Sequence, residues 1–156
     1  WLIYKMPRDP RHDCSIDTTR RSLERVIPAA WWVRIQNAIT LSDSEPEPDL
    51  VVVVGPAERY VDHHPGPAEI ALLGEVANTT LDQDRTNKGR IYARGGIPVY
   101  WIINLVNRQV EVYSHPDSTA TPPVYRQRQD YPIGSSVPVV LRGQQVGMLA
   151  VQDILP

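Results

Sequence analysis

Three apolar runs decide what this chain can fold into: LVVVV at 50–54, EIALLGEV at 69–76 and VYWIIN at 99–104. Each is too short for a membrane span, which needs about 20 apolar residues, and too continuous for a strand with one wet face. They read as strands buried on both sides. Between the second and third run lies a segment with helical punctuation. Thr80 and Gln83 have the spacing of a capping box, Gly95 and Gly96 supply the stop, and Pro98 prevents the helix from resuming. A strand, a helix and a second strand in that order favour a mixed α/β sheet. Such strands need cover on both faces, so an α/β fold is expected, a mixed β-sheet core flanked by helices.

The chain has 156 residues, which suits a single domain over 1–156, since most domains hold roughly 100 to 200 residues. Residues 15–26 carry a partly amphipathic helix whose Arg20, Arg21 and Arg25 suit a solvated face, and 31–41 is β-rich. Residues 55–67 read as a loop. After 99–104, a turn at 106–108 leads to a hairpin partner at 109–114, and 125–127, 137–141 and 146–149 are candidate short antiparallel strands. The opening WLIYKM reads as a strand end. Because the chain begins at Trp1 rather than methionine, its start is expected to be trimmed, with any site residue upstream lost from view. A lone cysteine, Cys14, excludes an internal disulfide. With no membrane-length apolar run, the expected compartment is the reducing cytoplasm.

Charges at the edges of these apolar elements need a reason, because burying one unpaired is costly. Asp49 sits directly before the valine run and Glu75 near the end of the second strand. Lys88 falls inside the stripe that a helical period draws through Leu81, Asp84, Lys88, Ile91 and Tyr92. Parallel sheets gather ligand-facing residues at the carboxyl ends of their strands, where Glu75 falls. Two carboxylates hold a hard divalent cation such as Mg²⁺ or Mn²⁺, and a lysine beside them offsets charge developing on a phosphate. The pattern points to metal-dependent phosphodiester hydrolysis, with Asp49, Glu75 and Lys88 catalytic, Asp49 and Glu75 as metal ligands, and Asp84 and Tyr92 as accessories.

Blander readings stay open. Glu75 and Lys88 also suit a structural ion pair, which predicts tolerance of Lys88→Met, and Asp82 and Asp84 also suit the positive end of a helix dipole. Arg85, Arg90 and Arg94 read as a solvated helix face that is also able to contact phosphates. His12, His63, His64 and His115 with Cys14 have no zinc spacing. The absence of a glycine-rich phosphate loop, a GxSxG elbow and a CxxC pair removes several enzyme classes. A net charge of −2 excludes the strong basic excess of many nucleic-acid binders, so DNA affinity is expected to be modest, salt-sensitive and carried by local arginines.

The runs DSEPEPDLVVVVG and LLGEVANTTLDQDRTNKGRIYARGGIPVYWIINLVNRQVEVY resemble the Uma-type putative restriction endonuclease family, part of the PD-(D/E)XK nuclease superfamily. The likeness rests on the Pro48-Asp49 pair, the Glu75-Val76 strand end, an acid-rich helix start, a lysine on that helix and a glycine-proline turn before Tyr100-Trp101. It covers nearly the whole chain. The resemblance implies an αβββαβ-type nuclease core, Asp49 and Glu75 on a Mg²⁺ or Mn²⁺ ion, Lys88 as the lysine, DNA as substrate, and a homodimer as the assembly that would cut both strands. In the superfamily's basic pattern the lysine lies two residues beyond the acid, where this chain has Ala77; here it has moved to the following helix. Asn104 stands where the strand often ends in aspartate, and Gly74 where a bulky apolar residue is usual. A non-catalytic DNA- or protein-binding module on the same fold is the competing reading, and metal dependence separates the two.

Overall fold

Leu50–Val54 (β2), Ile70–Ala77 (β3) and Val99–Asn104 (β4) lie at the centre of a six-stranded sheet in the computed structural model, which describes residues 9–156. The strand end expected at 1–6 lies outside the described residues. Trp31–Ile35 (β1) flanks β2, and Gln109–Asp117 (β5) and Val124–Pro132 (β6) continue the sheet beyond β4, in the order β1-β2-β3-β4-β5-β6. Among the described residues only β3 and β4 pair in parallel; the other neighbours in this sheet are antiparallel. Ser136–Leu141 (β7) and Gln144–Ala150 (β8) form a separate hairpin. This is the mixed α/β domain that the order of apolar runs requires. All residues of β3 and β4 are buried, as strands covered on both faces must be.

The two covers differ. On one face, Ile16 and Leu23 from the helix Pro10–Val26 (α1) pack with Val52, Leu72, Trp101 and Ile103, joined by Val137 and Leu149 of the β7–β8 hairpin. On the other, Tyr92 and Ile97 pack on Val51, Leu73, Tyr100 and Ile102. α1 begins at Pro10 rather than at Ser15: Asp9 caps it by accepting from the Arg11 N–H at 3.0 Å, and proline fits a first helical position whose N–H has no partner. The strand expected at 31–41 stops at Ile35, because Gln36 turns the chain at a φ of 53° and leaves Ile39 and Leu41 as loop residues plugged into the core. β6 is longer than the three residues expected of it, and the loop at 55–67 holds 3₁₀ turns at Ala57–Tyr60 and Pro67–Glu69.

The crossover helix, α2, starts as Leu81–Gln83, widens to a π-turn at Asp84–Lys88 and resumes as Gly89–Arg94. The expected capping box does not form. Thr80 makes no cap bond, and its hydroxyl donates instead to Asp84 Oδ2 at 2.9 Å. A π-turn winds in one extra residue, which rotates everything after it by about 100°. The buried stripe therefore runs through Asp84, Gly89, Tyr92 and Ala93, and Ile91, expected on the stripe, is 37% exposed. Among the described residues no helix is long and apolar enough to cross a membrane.

Gly74 has a packing reason. It pairs across the sheet with Leu50, and a Cβ placed on it would lie 2.9 Å from Leu50 Cδ1 and 3.1 Å from Cγ. Leu50 is fully buried and fills the room that a bulky residue at 74 would take. Gly74→Ala is expected to cost about 1–2 kcal/mol by overpacking, with part recovered by adding Leu50→Val. Urea denaturation of the single and double variants reads this directly.

Candidate active site

Asp49 enters β2 from the proline-bearing turn, and Glu75 lies beside it on β3. The backbone ties the two carboxylates to each other's strands: the Asp49 N–H donates to Glu75 Oε1 at 2.7 Å, and the Val76 N–H donates to Asp49 Oδ2 at 2.8 Å. From α2, Lys88 Nζ donates to Glu75 Oε2 at 2.5 Å and stands 3.2 Å from Asp84 Oδ1. The Tyr92 hydroxyl donates to Glu75 Oε2 at 3.3 Å. All five residues singled out from the sequence thus converge. The carboxylates of Glu75 and Asp84 are buried while the Lys88 side chain is 42% exposed, so the lysine links the buried acids to the surface.

The π-turn is what delivers Lys88. Widened turns leave backbone groups without their usual partners. Here the buried Tyr100 hydroxyl donates to the Asp84 carbonyl at 2.8 Å, and Thr86 Oγ1 donates to the Asp82 carbonyl at 2.7 Å. The turn is pinned on its outer side by Arg85, whose Nε and Nη2 donate to the two carboxylate oxygens of Glu111 at 3.1 and 2.6 Å.

Burial, then repulsion from Asp49, push the Glu75 carboxyl up to about 7, against the pull of Lys88. Burial alone would lower Lys88, but the Glu75 and Asp84 carboxylates outweigh it and hold the amine at about 12, charged at any physiological pH. Asp84 is raised by burial against stabilisation from Lys88 and Thr80. Burial, and then the negative Glu75, raise Tyr92, which keeps its proton and stays a donor.

Two adjacent hard-oxygen groups that repel one another, with Lys88 countering only part of that repulsion, suit a small dication. Among the described residues no cluster of three or more His, Cys, Asp or Glu forms a metal cage. A two-carboxylate set fits Mg²⁺ nonetheless, because that ion keeps several waters and is commonly bound through one or two carboxylates.

Two further residues belong to this neighbourhood and were missed by the sequence reading. His12, in the first turn of α1, places Nε2 3.1 Å from Asp49 Oδ2. A carboxylate can only accept, so Nε2 carries the proton. The signal was the Asp9-Pro10 cap, which brings His12 onto a helix; starting the helix at Ser15 left it in a loop. The second is Glu111 on β5, fully buried, which collects Arg85, Tyr113, Asn104 and Gln109. Arg85 is therefore not part of a solvated face. Asn104 also finds its reason here: its amide donates to Glu111 Oε2 at 2.8 Å, where an aspartate would repel.

The family model for Uma2, described as a putative restriction endonuclease, matches residues 2–151. In fold, the chain is similar to the crystal structure of a putative nuclease belonging to DUF820 from Anabaena variabilis, with a TM-score of 0.65 and 17% identity over 98% of this chain and 84% of that one. No curated protein matches. With nearly all of the chain matched by the family model, the protein belongs to the Uma2 putative restriction endonuclease family.

Proposed function

We propose that the protein is a divalent-metal-dependent DNA endonuclease with Asp49, Glu75 and Lys88 as its catalytic residues. The observation that carries this reading is the contact of a half-exposed, permanently charged Lys88 with Glu75 on a strand bonded to Asp49. Asp49 and Glu75 would hold Mg²⁺ or Mn²⁺, which when bound polarises a phosphate and makes water a better nucleophile. Lys88 faces outward enough to pair with a phosphate oxygen and offset the charge that develops there. Asp84 keeps the amine anchored from the helix side, Tyr92 orients Glu75, and His12 orients Asp49. A homodimer would bring two such sites to the two strands of a duplex.

Nicking of supercoiled plasmid in Mg²⁺ or Mn²⁺, abolished by EDTA, tests the activity; no cutting in either metal sinks it. Metal binding has its own test in pH. Because the folded protein holds Glu75 at about 7 against an ordinary 4.5, its contribution to stability is fully present below about 4.5 and lost as pH rises through about 7. A cation binds the ionised form and relieves that loss. Mg²⁺ is therefore expected to raise Tm little at about pH 5.5 and clearly at about pH 8. Equal shifts at both pH values would place the ion away from Glu75.

A further inference from the structure

Gly89 has no local reason to be glycine. Its φ of −55° is ordinary helix, and an added Cβ would meet only the Asp84 carbonyl oxygen, at an ordinary 3.8 Å. Glycine is among the poorest helix formers, so neither backbone shape nor crowding accounts for it in the middle of α2. Gly89 does border a cleft of about 260 Å³ between α2 and the β5–β6 hairpin, which Arg85, Thr86, Arg90, Tyr113 and Tyr125 also line. A side chain at this position would take up part of that space.

The lining has a definite chemistry. Arg85 is held by two bonds to Glu111, so its guanidinium is fixed in place. Arg90 is exposed and, among the described residues, forms no ion pair. Both tyrosine hydroxyls are committed inward, Tyr113 donating to Glu111 Oε1 at 2.7 Å and Tyr125 to the Ile97 carbonyl at 2.8 Å. What the tyrosines offer the cleft is ring surface rather than hydroxyl groups. The two rings lie with centroids 6.2 Å apart and planes tilted by 54°, so they form an apolar aromatic wall, and such a wall with a free cation beside it suits a nucleobase carrying a phosphate. The volume falls below the roughly 300–1,000 Å³ of drug-sized ligand sites, which suits one base rather than a whole cofactor. Position agrees, since Lys88 precedes Gly89 directly and α2 is only about 10–12 Å across.

We propose that this cleft is a nucleotide subsite: it takes the unstacked base next to the scissile phosphate against the tyrosines, with the flanking phosphate on Arg90. The proposal rests on the nuclease reading of Asp49, Glu75 and Lys88. Unstacking a base from a duplex is costly, so the subsite favours single-stranded or locally melted DNA over intact duplex.

Two variants test it, Gly89→Leu to fill the cleft and Arg90→Ala to remove the cation, each first shown by its melting curve to fold. Gly89→Leu replaces a poor helix former by a good one at a buried position where an added Cβ meets only the Asp84 carbonyl oxygen, and it is expected to melt within a few degrees of wild type. In Mg²⁺, both variants are expected to raise KM for a single-stranded oligonucleotide roughly tenfold or more, the size of a lost base contact, with kcat within about twofold. In EDTA, an oligonucleotide carrying 2-aminopurine is expected to lose emission on binding wild type, through stacking, and to keep it with Gly89→Leu. Wild-type KM in both variants, or 2-aminopurine emission that Gly89→Leu leaves unchanged, overturns the subsite. Absence of cleavage by wild type would count against the nuclease reading alone, because the metal-free titration still decides whether the cleft takes a base.

Discussion

Glu75→Gln is expected to cut DNA cleavage by about 1,000-fold or more while the protein melts within a few degrees of wild type at neutral pH. The substitution removes one of two carboxylates from the proposed metal position and the closest partner of Lys88. It keeps the shape of the side chain and an oxygen for the Asp49 N–H, but its amide nitrogen cannot accept from Lys88 and Tyr92 as Oε2 does. Stability is largely spared because ionised Glu75 is itself unfavourable here: burial and Asp49 hold it at about 7, so near neutrality removal of the charge offsets the lost acceptor. The change of Tm with pH between about 6 and 8 should flatten in the variant. Lys88→Met completes the argument. If the charges formed only a structural pair, this variant would fold as well and cut as well as wild type; the nuclease reading requires that it fold and fail to cut. Plasmid nicking and thermal melts on the same preparations separate these outcomes.

Arg85→Ala is expected to lower stability by about 2–3 kcal/mol at pH 7. Breaking one half of a buried ion pair typically costs about 3–5 kcal/mol, because the remaining charge stays buried without its counter-ion. Glu111 is fully buried but keeps Tyr113, Asn104 and Gln109, and Arg128 Nη2 stands 3.4 Å from its Oε2 as a second cation, which places the cost at or just below the lower end. Burial alone would raise Glu111; hydrogen bonds from Arg85 and then Tyr113 and Asn104 overcome it and hold the carboxyl at about 2. A depressed acid contributes stability that is present above its ordinary 4.5 and lost as pH falls through about 2. The gap between wild type and Arg85→Ala should therefore narrow as pH drops through that window. Urea denaturation at about pH 7 and pH 3 measures it, and a gap that stayed constant would mean Arg85 acts through packing. Because Arg85 also anchors the π-turn, the variant should lose cleavage in addition to stability.

How much of this was legible in the chain follows from what each signal depends on. The central strands announced themselves through continuous apolar runs, which only two-sided burial explains. Asp49, Glu75 and Lys88 stood out because charge has no place at the edges of such runs. Glu111 carried no such signal. In QVEVYS the valines alternate with polar residues, so a period of two turns Glu111 outward, to water if that face is bare. That face is covered by α2, which converts an apparently solvated glutamate into a buried one and an apparently solvated Arg85 into its partner. The π-turn was equally silent, because the helical period applied to 81–94 assumes regular winding; it carried Lys88 and Tyr92 correctly and misplaced Ile91. His12 depended on where α1 begins, and helix starts are the least certain part of any pattern.

α1 brings together the two ends of the described chain. Ser15 donates its hydroxyl to the Ile154 carbonyl at 2.6 Å, across 139 positions of sequence, and Leu23 packs in the same core cluster as Leu149, Ile154 and Leu155. During synthesis this helix leaves the ribosome first among the described elements, yet it gains its full set of neighbours only when residues near 155 have been added. His12 rides on that helix. A nascent chain can thus already contain Asp49, Glu75 and Lys88 while the element that steadies Asp49 is still loosely held, so the proposed site is fully braced only after residues near 155 have been added.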